Sequence, residues 1–501
     1  MMHRGMRIVR MLMPLPNPTH KKGFDMMSAH LPKGVCFVFL ILVAVVRAEN
    51  DDERKFDTKF SGYTYIEAGE VMKGIGYQDN VIYDHRWLSD ACVGIFASTR
   101  IDEHLKVLMG FEGQLTSSFN AYYQEKVDFV PLRHPMNSFW VSQGEGIYTF
   151  GDLSGTSLEI EAGYFPYKYN PEVRNLGEYL FRTYCYPPIM LNLFDRTFTE
   201  LMGVRVGNTL GGVFHHDLIL HSETKQYPFY DFSLSYLADV KNPEFLFVLP
   251  NFITLGGGIQ WYRLIPVRGD LTTRHDNKDL NLIKRDTVAW KYNSQTQDTQ
   301  PVIREEWMSF AGTKVMGRTT IDFKSLLPEV ITDFLGKEDL RLYGEVAVLG
   351  WKNDSTFANY PITYKKRFQR TPFTVGFNML TPKIFRIFNI DVLDKVIGII
   401  DLDILNAEIE YLNSPYMNST YGPIFQLVPL QDINTSLGRT NLKWSVYVKK
   451  TIGTRMILSA QVANDHFIPK SGHDDPTIQD YHDVTLRHGD WWWNFRARFD
   501  F

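Results

Sequence analysis

The last eleven residues, Trp491-Trp492-Trp493-Asn494-Phe495-Arg496-Ala497-Arg498-Phe499-Asp500-Phe501, separate by parity. From 493 the odd positions are Trp, Phe, Ala, Phe and Phe, and the even ones Asn, Arg, Arg and Asp. A strand turns successive side chains to opposite faces, so this stretch is a ribbon with one greasy face and one charged face. The pattern recurs upstream. Leu158, Ile160, Ala162 and Tyr164 oppose Glu159 and Glu161; Leu405, Ala407, Ile409 and Tyr411 oppose Asn406, Glu408 and Glu410; Leu442, Trp444, Val446 and Val448 oppose Lys443 and Ser445. No stretch approaches the roughly 18 consecutive apolar residues that a membrane-crossing helix needs. A helical multispan protein is thereby excluded, and a β architecture with two-faced strands is left.

The N-terminus reads as a targeting segment. Residues 34–46 form an apolar run preceded by Lys33 and followed by Val46-Arg47-Ala48, the order of a Sec-type signal peptide cleaved after Ala48. The run is too short to span a bilayer. Residues 1–48 are therefore expected to be a leader, and 49–501 a single barrel domain. Met26-Met27 offers a start nearer the apolar run, which would leave residues 1–25 untranslated. Loss of the leader removes seven basic residues and one acidic residue, moving the net charge from -4 to -10. Neither value is the basic footprint of a nucleic-acid binder. Three cysteines make no disulfide framework, and Cys92 and Cys185 are improbable partners.

The C-terminal ribbon resembles the last strand of bacterial outer-membrane β-barrels, which typically ends on Phe and is read by the barrel assembly machinery. That resemblance implies export to the outer membrane of a Gram-negative bacterium, and Phe501 as the assembly signal. Trp444, Trp493, Phe495, Phe499 and Phe501 would face lipid, with the cluster at 491–493 at one aromatic girdle and Phe499 and Phe501 at the other. The stretch from Asn175 to Pro187, with the Tyr262–Pro266 strand end, also resembles porin-like outer-membrane proteins of fibre-degrading bacteria.

Alternation places sixteen strands, near 57–68, 86–98, 105–116, 138–150, 157–166, 199–207, 213–221, 229–238, 252–263, 312–322, 340–351, 371–380, 404–412, 440–449, 454–463 and 491–501. The expected fold is an all-β, transmembrane, antiparallel up-and-down barrel. With strand one rising from the periplasm, the connections at 99–104, 151–156, 208–212 and 450–453 fall on that side and are short. Those at 69–85, 117–137, 167–198, 264–311, 352–370, 413–439 and 464–490 fall outside and are long. Such asymmetry is characteristic of outer-membrane barrels. Two inner connections, 323–339 and 381–403, carry apolar residues at helical spacing (Phe323, Leu326, Leu327, Val330, Phe334; Ile384, Phe385, Phe388, Val392, Val396, Ile397). They read as short helices beneath the rim or as segments folded into the lumen.

Parity assigns Glu159, Glu161, Arg205, His215, Asp217, His221, Arg341, Glu345, Glu408, Glu410, Lys443, Arg455, Arg496 and Arg498 to the inner face. Sixteen strands leave an aqueous channel. Those charges line a diffusion path or merely pair across the wall. The third long loop carries Arg174, Glu178, Arg182, Asp195 and Arg196 among aromatics and prolines. In porins the third loop folds inward and forms the constriction, and the resemblance makes these five residues the constriction candidates. The alternative is a surface loop with ordinary salt bridges.

Other chemistry is sparse. His473, Asp474, Asp475, Asp480, His482, Asp483 and His488 crowd the last long loop at no metal-ligand spacing, so a solvated loop is expected and no metal or cofactor. His215-His216-Asp217 alternates faces and makes no triad. Gly256-Gly257-Gly258 lies mid-strand and marks a kink or close packing. No zincin helix, phosphate-cradling loop or nucleophile elbow is present, so an enzyme is not expected. The leading expectation is passive diffusion of small hydrophilic solutes through a porin-like pore, with a homotrimer implied by the family resemblance. The competing one is a surface protein whose long loops bind polysaccharide or a structural partner without transport.

Overall fold

The structure is a computed structural model that describes residues 56–73, 85–116, 136–151, 155–182, 199–222, 232–241, 252–265, 282–293, 298–307, 312–351, 366–379, 381, 402–413, 442–464 and 491–501. The leader, its Ala48 cleavage site, the His/Asp-rich last loop and the 382–401 helical stretch lie outside the described residues. Its strands are β1 (Asp57–Lys73), β2 (Arg86–Arg100), β3 (Leu105–Thr116), β4 (Met136–Gly151), β5 (Ser157–Tyr167), β6 (Thr199–Leu210), β7 (Phe214–Ser222), β8 (Phe232–Lys241) and β9 (Ile253–Ile265). After these come β10 (Leu282–Asn293), β11 (Asp298–Trp307), β12 (Gly312–Asp322), β13 (Arg341–Leu349), β14 (Phe373–Asn378), β15 (Ile404–Tyr411), β16 (Leu442–Ile452), β17 (Met456–Ala463) and β18 (Trp491–Asp500). All but β10 and β11 form one closed barrel in which each strand lies beside its neighbours in sequence and β1 joins β18. These are the sixteen strands that alternation places.

Closure follows from the backbone. Each N–H and C=O must find a partner where no water is available, and a closed antiparallel ladder supplies one for all of them. The seam pairs β1 with β18 from Tyr63↔Asp500 to Lys73↔Trp491. Beyond the last seam residue, Gly62 N–H donates to the Phe501 carbonyl at 2.8 Å and Phe501 N–H to the Gly62 carbonyl at 2.9 Å. The Phe501 ring lies over Gly62, where a Cβ would come within 2.6 Å of it.

The wall is inverted relative to a soluble protein. Ile66, Val93, Val204, Leu218, Val375, Ile409, Leu442, Phe495 and Phe499 are exposed on the outside, while Glu67, Gln114, Gln260, Lys314, Asn406, Glu408, Lys443 and Gln461 are buried within. An outer surface of this kind is stable against hydrocarbon and costly against water. Four connections at one end are tight: 101–104, 152–156, 211–213 and 453–455. Gly211, Gly212 and Gly453 take φ of 58°, 68° and 61° there, a region that side chains disfavour.

Three expectations are corrected and one is met. Arg455 sits in the exposed β16–β17 turn, because β16 continues to Ile452 and moves the turn past the position assigned to the wall. Trp492 shares the inner face of β18 with Asn494 and is 1% exposed, so the Trp491–Trp493 cluster straddles the wall. The 323–339 segment does form short helices, as expected: a 3-10 turn, Phe323–Leu326, and one turn of α-helix, Glu329–Thr332, divided at Pro328, whose missing N–H and ring interrupt the run. The long connection after β9 contains the β10–β11 hairpin. A two-stranded ribbon with Trp290, Tyr292 and Val302 exposed has no lipid face and lumen face to impose parity on its sequence, so alternation is blind to it.

Ile409 lies mid-strand on the outer wall and is 51% exposed. Ile409→Arg is expected to destabilise the barrel by about 2–4 kcal/mol in a bilayer. Denaturant unfolding from liposomes, set against the parent, measures this.

Candidate functional site

After β5 the chain turns into the barrel. The inner wall is not uniformly polar on this side: Phe165, Leu201, Ile219, Leu237, Met316, Ala347 and Leu349 form a buried apolar patch across β5–β8, β12 and β13. Onto it pack Tyr167, Tyr169, Tyr179, Leu180 and Phe181. Gly258 makes this possible, since a Cβ there would stand 2.9 Å from Leu180 Cδ1; Gly256 likewise leaves room for the Arg318 side chain. The Gly256–Gly258 run therefore marks close packing. Burial of the aromatics supplies the non-directional part of the attachment.

Two wall carboxylates supply the directional part. Glu345 on β13 and Glu408 on β15 are 3% and 1% exposed. Glu345 accepts from Tyr179 N–H at 2.9 Å, Glu178 N–H at 3.0 Å, Asn170 Nδ2 at 3.0 Å and the Tyr169 hydroxyl. Glu408 accepts from Arg174 N–H at 2.6 Å, from Asn175 and Leu176 N–H at 2.9 Å each, and from the Tyr343 hydroxyl. Three consecutive backbone N–H groups thus converge with a tyrosine on one carboxylate, and each carboxylate has four donors. A buried charge is tolerated when its lone pairs are satisfied in this way. Tyr343 reaches Glu408 by lying across Gly376, where a Cβ would sit 2.1 Å from the ring.

The rest of the segment is fastened similarly. Gly177 has φ 100°, and a Cβ there would meet Thr374 Cγ2 at 3.1 Å. The helical turn Tyr179–Arg182 follows. Lys314 donates to the Leu180 carbonyl at 3.3 Å and stands 4.0 Å from the Tyr262 ring centre. The Tyr179 hydroxyl donates to Glu410 at 3.1 Å, and Lys443 pairs with Glu410 at 3.4 Å. Glu172, at the far reach of the segment, pairs with Arg341 at 3.2 Å. Burial pushes the Glu172 carboxyl up, against the pull of the Arg341 guanidinium.

Elsewhere on the wall, Arg205 pairs with Glu159, Glu161 and Asp217 at 2.7, 2.8 and 2.8 Å, and Asp217 also meets His215 at 3.2 Å and accepts from the Tyr167 hydroxyl at 2.8 Å. Across the seam, Arg496 pairs with Glu67 and lies 4.1 Å from the Tyr65 ring centre, while Arg498 lies 4.2 Å from that of Tyr63 and pairs with Asp500 of its own strand at 2.6 Å.

Of the five constriction candidates, Arg174 and Glu178 are inside the barrel. Glu178 is 2% exposed and its carboxylate accepts from Asn170 N–H, so it braces the segment from within. The Arg182 side chain, Asp195 and Arg196 lie outside the described residues. The wall residues Glu345, Glu408, Glu410, Lys443 and Arg341 come together beneath the segment, while Glu159, Glu161, Arg205 and Asp217 form a separate cluster. Sequence reasoning missed Tyr169, Asn170, Glu172, Asn175 and Tyr179, whose signal was limited to an aromatic, proline-bearing loop next to acidic inner-face positions.

The architecture is that of a sixteen-stranded antiparallel barrel with an apolar outer wall, a polar inner wall and one inward segment. No family model and no curated protein matches the chain. Among solved structures it is similar to a mutant of the Rhodopseudomonas blastica porin, at 8% identity and TM-score 0.37 over 89% of this chain and 100% of that one. It is also similar to OprB of Pseudomonas putida, at 9% identity and TM-score 0.43 over 91% and 96%.

Glu408→Ala strands three buried backbone donors at once and is expected to cost more than about 3 kcal/mol locally. Limited proteolysis of the folded barrel should then cut within residues 170–182, which the parent protects. Gly177→Ala, forced to φ 100°, should show the same cut at lower yield.

Proposed function

We propose that the protein is an outer-membrane channel for passive diffusion of small hydrophilic solutes, with residues 168–182 as its constriction. The observation that carries this reading is the segment itself, held inside a polar-lined barrel by Glu345 and Glu408. A barrel of this size encloses water unless something fills it, and a segment fastened at many points narrows the passage to a fixed shape. Its contacts fall on β5–β9 and β12–β16. On this reading β1–β4, β17 and β18 form the other side of the path, where Tyr63, Tyr65, Arg496 and Arg498 meet the solute, with Glu67 buried beneath Arg496. Charges of both signs across a narrow passage orient polar solutes and slow apolar ones.

The same reading puts the tight turns in the periplasm and the long loops outside the cell. Export by a leader cleaved after Ala48, recognition of Phe501 by the assembly machinery and a homotrimer accompany it. The seating of Phe501 over Gly62 supports its role as the residue that completes closure. No catalytic role is part of it. A second reading, surface binding of polysaccharide or a partner, draws on Trp290 and Tyr292, exposed by 67% and 62% on the β10–β11 hairpin.

Purified protein in planar bilayers should give stable stepwise conductance. The double variant Glu345→Ala, Glu408→Ala should give steps larger by roughly twofold and visibly noisier, since the constriction loses its anchors. A silent, sealed barrel overturns the channel, and affinity for insoluble glycan without conductance would favour the second reading.

A further inference from the structure

The inward segment is held at its deepest point from a part of the chain outside the wall. β13 runs from Arg341 at the tight-turn end to Leu349 at the opposite end, and the segment meets Glu345 midway along it and Arg341 at its base. There Glu338, on the β12–β13 connection, pairs with Arg174 at 3.6 Å and with Arg341 at 2.8 Å. Arg341 also takes Glu172 at 3.2 Å and Asp322 at 3.0 Å. Glu338 thus touches Arg174 of the tip and the wall arginine, Arg341, that also takes Glu172.

The connection is built to hold Glu338 still. Its neighbour Asp339 is 1% exposed and accepts from Gly336 N–H at 2.8 Å and from Thr381 N–H and Oγ1 at 3.2 and 2.9 Å. Leu340 N–H donates to the Asn378 carbonyl at 2.9 Å, and Phe323 N–H to the Leu340 carbonyl at 3.0 Å. Lys324 ties the start of the connection to the Gly336 carbonyl at 3.4 Å. The carboxylate one position before Asp339 is therefore presented from a fixed platform. Arg174 and Glu338 have side chains only 19% and 22% exposed, so their pair is screened less than a surface one.

We infer that Glu338 is a positioning residue for the constriction, acting through Arg174 and Arg341 to hold the segment tip against the tight-turn end of the barrel. This rests on the channel reading for its effect on conductance, but not for its effect on the tip. Without Glu338 the Arg174 guanidinium loses its carboxylate and is released toward the passage, and the backbone N–H groups at 174–176 open more often from Glu408.

Two measurements on Glu338→Gln in the full-length folded barrel test this, with Glu329→Gln on the same connection as the control that removes an equal charge. Hydrogen exchange of peptides spanning 172–176 should quicken roughly fivefold in Glu338→Gln and stay at the parent rate in Glu329→Gln. Equal exchange in all three proteins overturns the inference, whether or not the barrel conducts. In planar bilayers Glu338→Gln should add brief closures and shift the reversal potential toward anions, and Arg174→Gln in that background should remove both changes. Additive effects of the two substitutions overturn coupling through Arg174. Absence of conductance in the parent overturns the channel reading and leaves the exchange result to decide the role of Glu338.

Discussion

Hydrocarbon offers a peptide group no hydrogen-bond partner, and the rest of this structure depends on that. A strand placed in it must have a neighbour on each side, and the only arrangement that meets the demand for every strand is a closed one. The β1–β18 ladder, finished by the paired Gly62 and Phe501 backbones, is where the demand is met last. Closure then dictates side-chain chemistry by parity. Outer positions face hydrocarbon and become apolar, inner positions face an enclosed space and become polar, and the same two-residue period carries both.

The enclosed space raises a second problem, since a polypeptide entering it brings unpaired N–H groups. The segment after β5 solves it with wall carboxylates. Glu345 and Glu408 each collect four donors, two and three of them backbone N–H, so the wall satisfies five N–H groups of a stretch without a sheet partner. The apolar patch from Phe165 to Leu349 supplies a dry surface for the aromatics, and the ion pairs of Arg341 hold the tip. Three kinds of attachment at different depths make the segment part of the wall.

Much of this was legible from alternation. All sixteen wall strands follow from it, because a register slip of one residue would turn each apolar set into the lumen. The inner placement of Glu345, Glu408, Glu410, Lys443, Arg496 and Arg498 follows from the same parity. Arg455 was misread because parity holds only while a strand continues, and β16 ends three residues before it in a glycine turn. Trp492 was misread because residue type was allowed to outweigh parity within the cluster.

By itself the sequence determined the strand number, the face of the wall residues other than Trp492 and the asymmetry of the two barrel ends, since lipid imposes a local, repeating requirement that every strand must meet. Only the tertiary structure decided where residues 168–182 go, which wall carboxylates receive them and that Glu338 braces their tip. Those contacts join positions more than 150 residues apart, such as Asn170 with Glu345, and no periodic rule connects them. They exist because the curved wall brings β5, β13 and β15 around one interior.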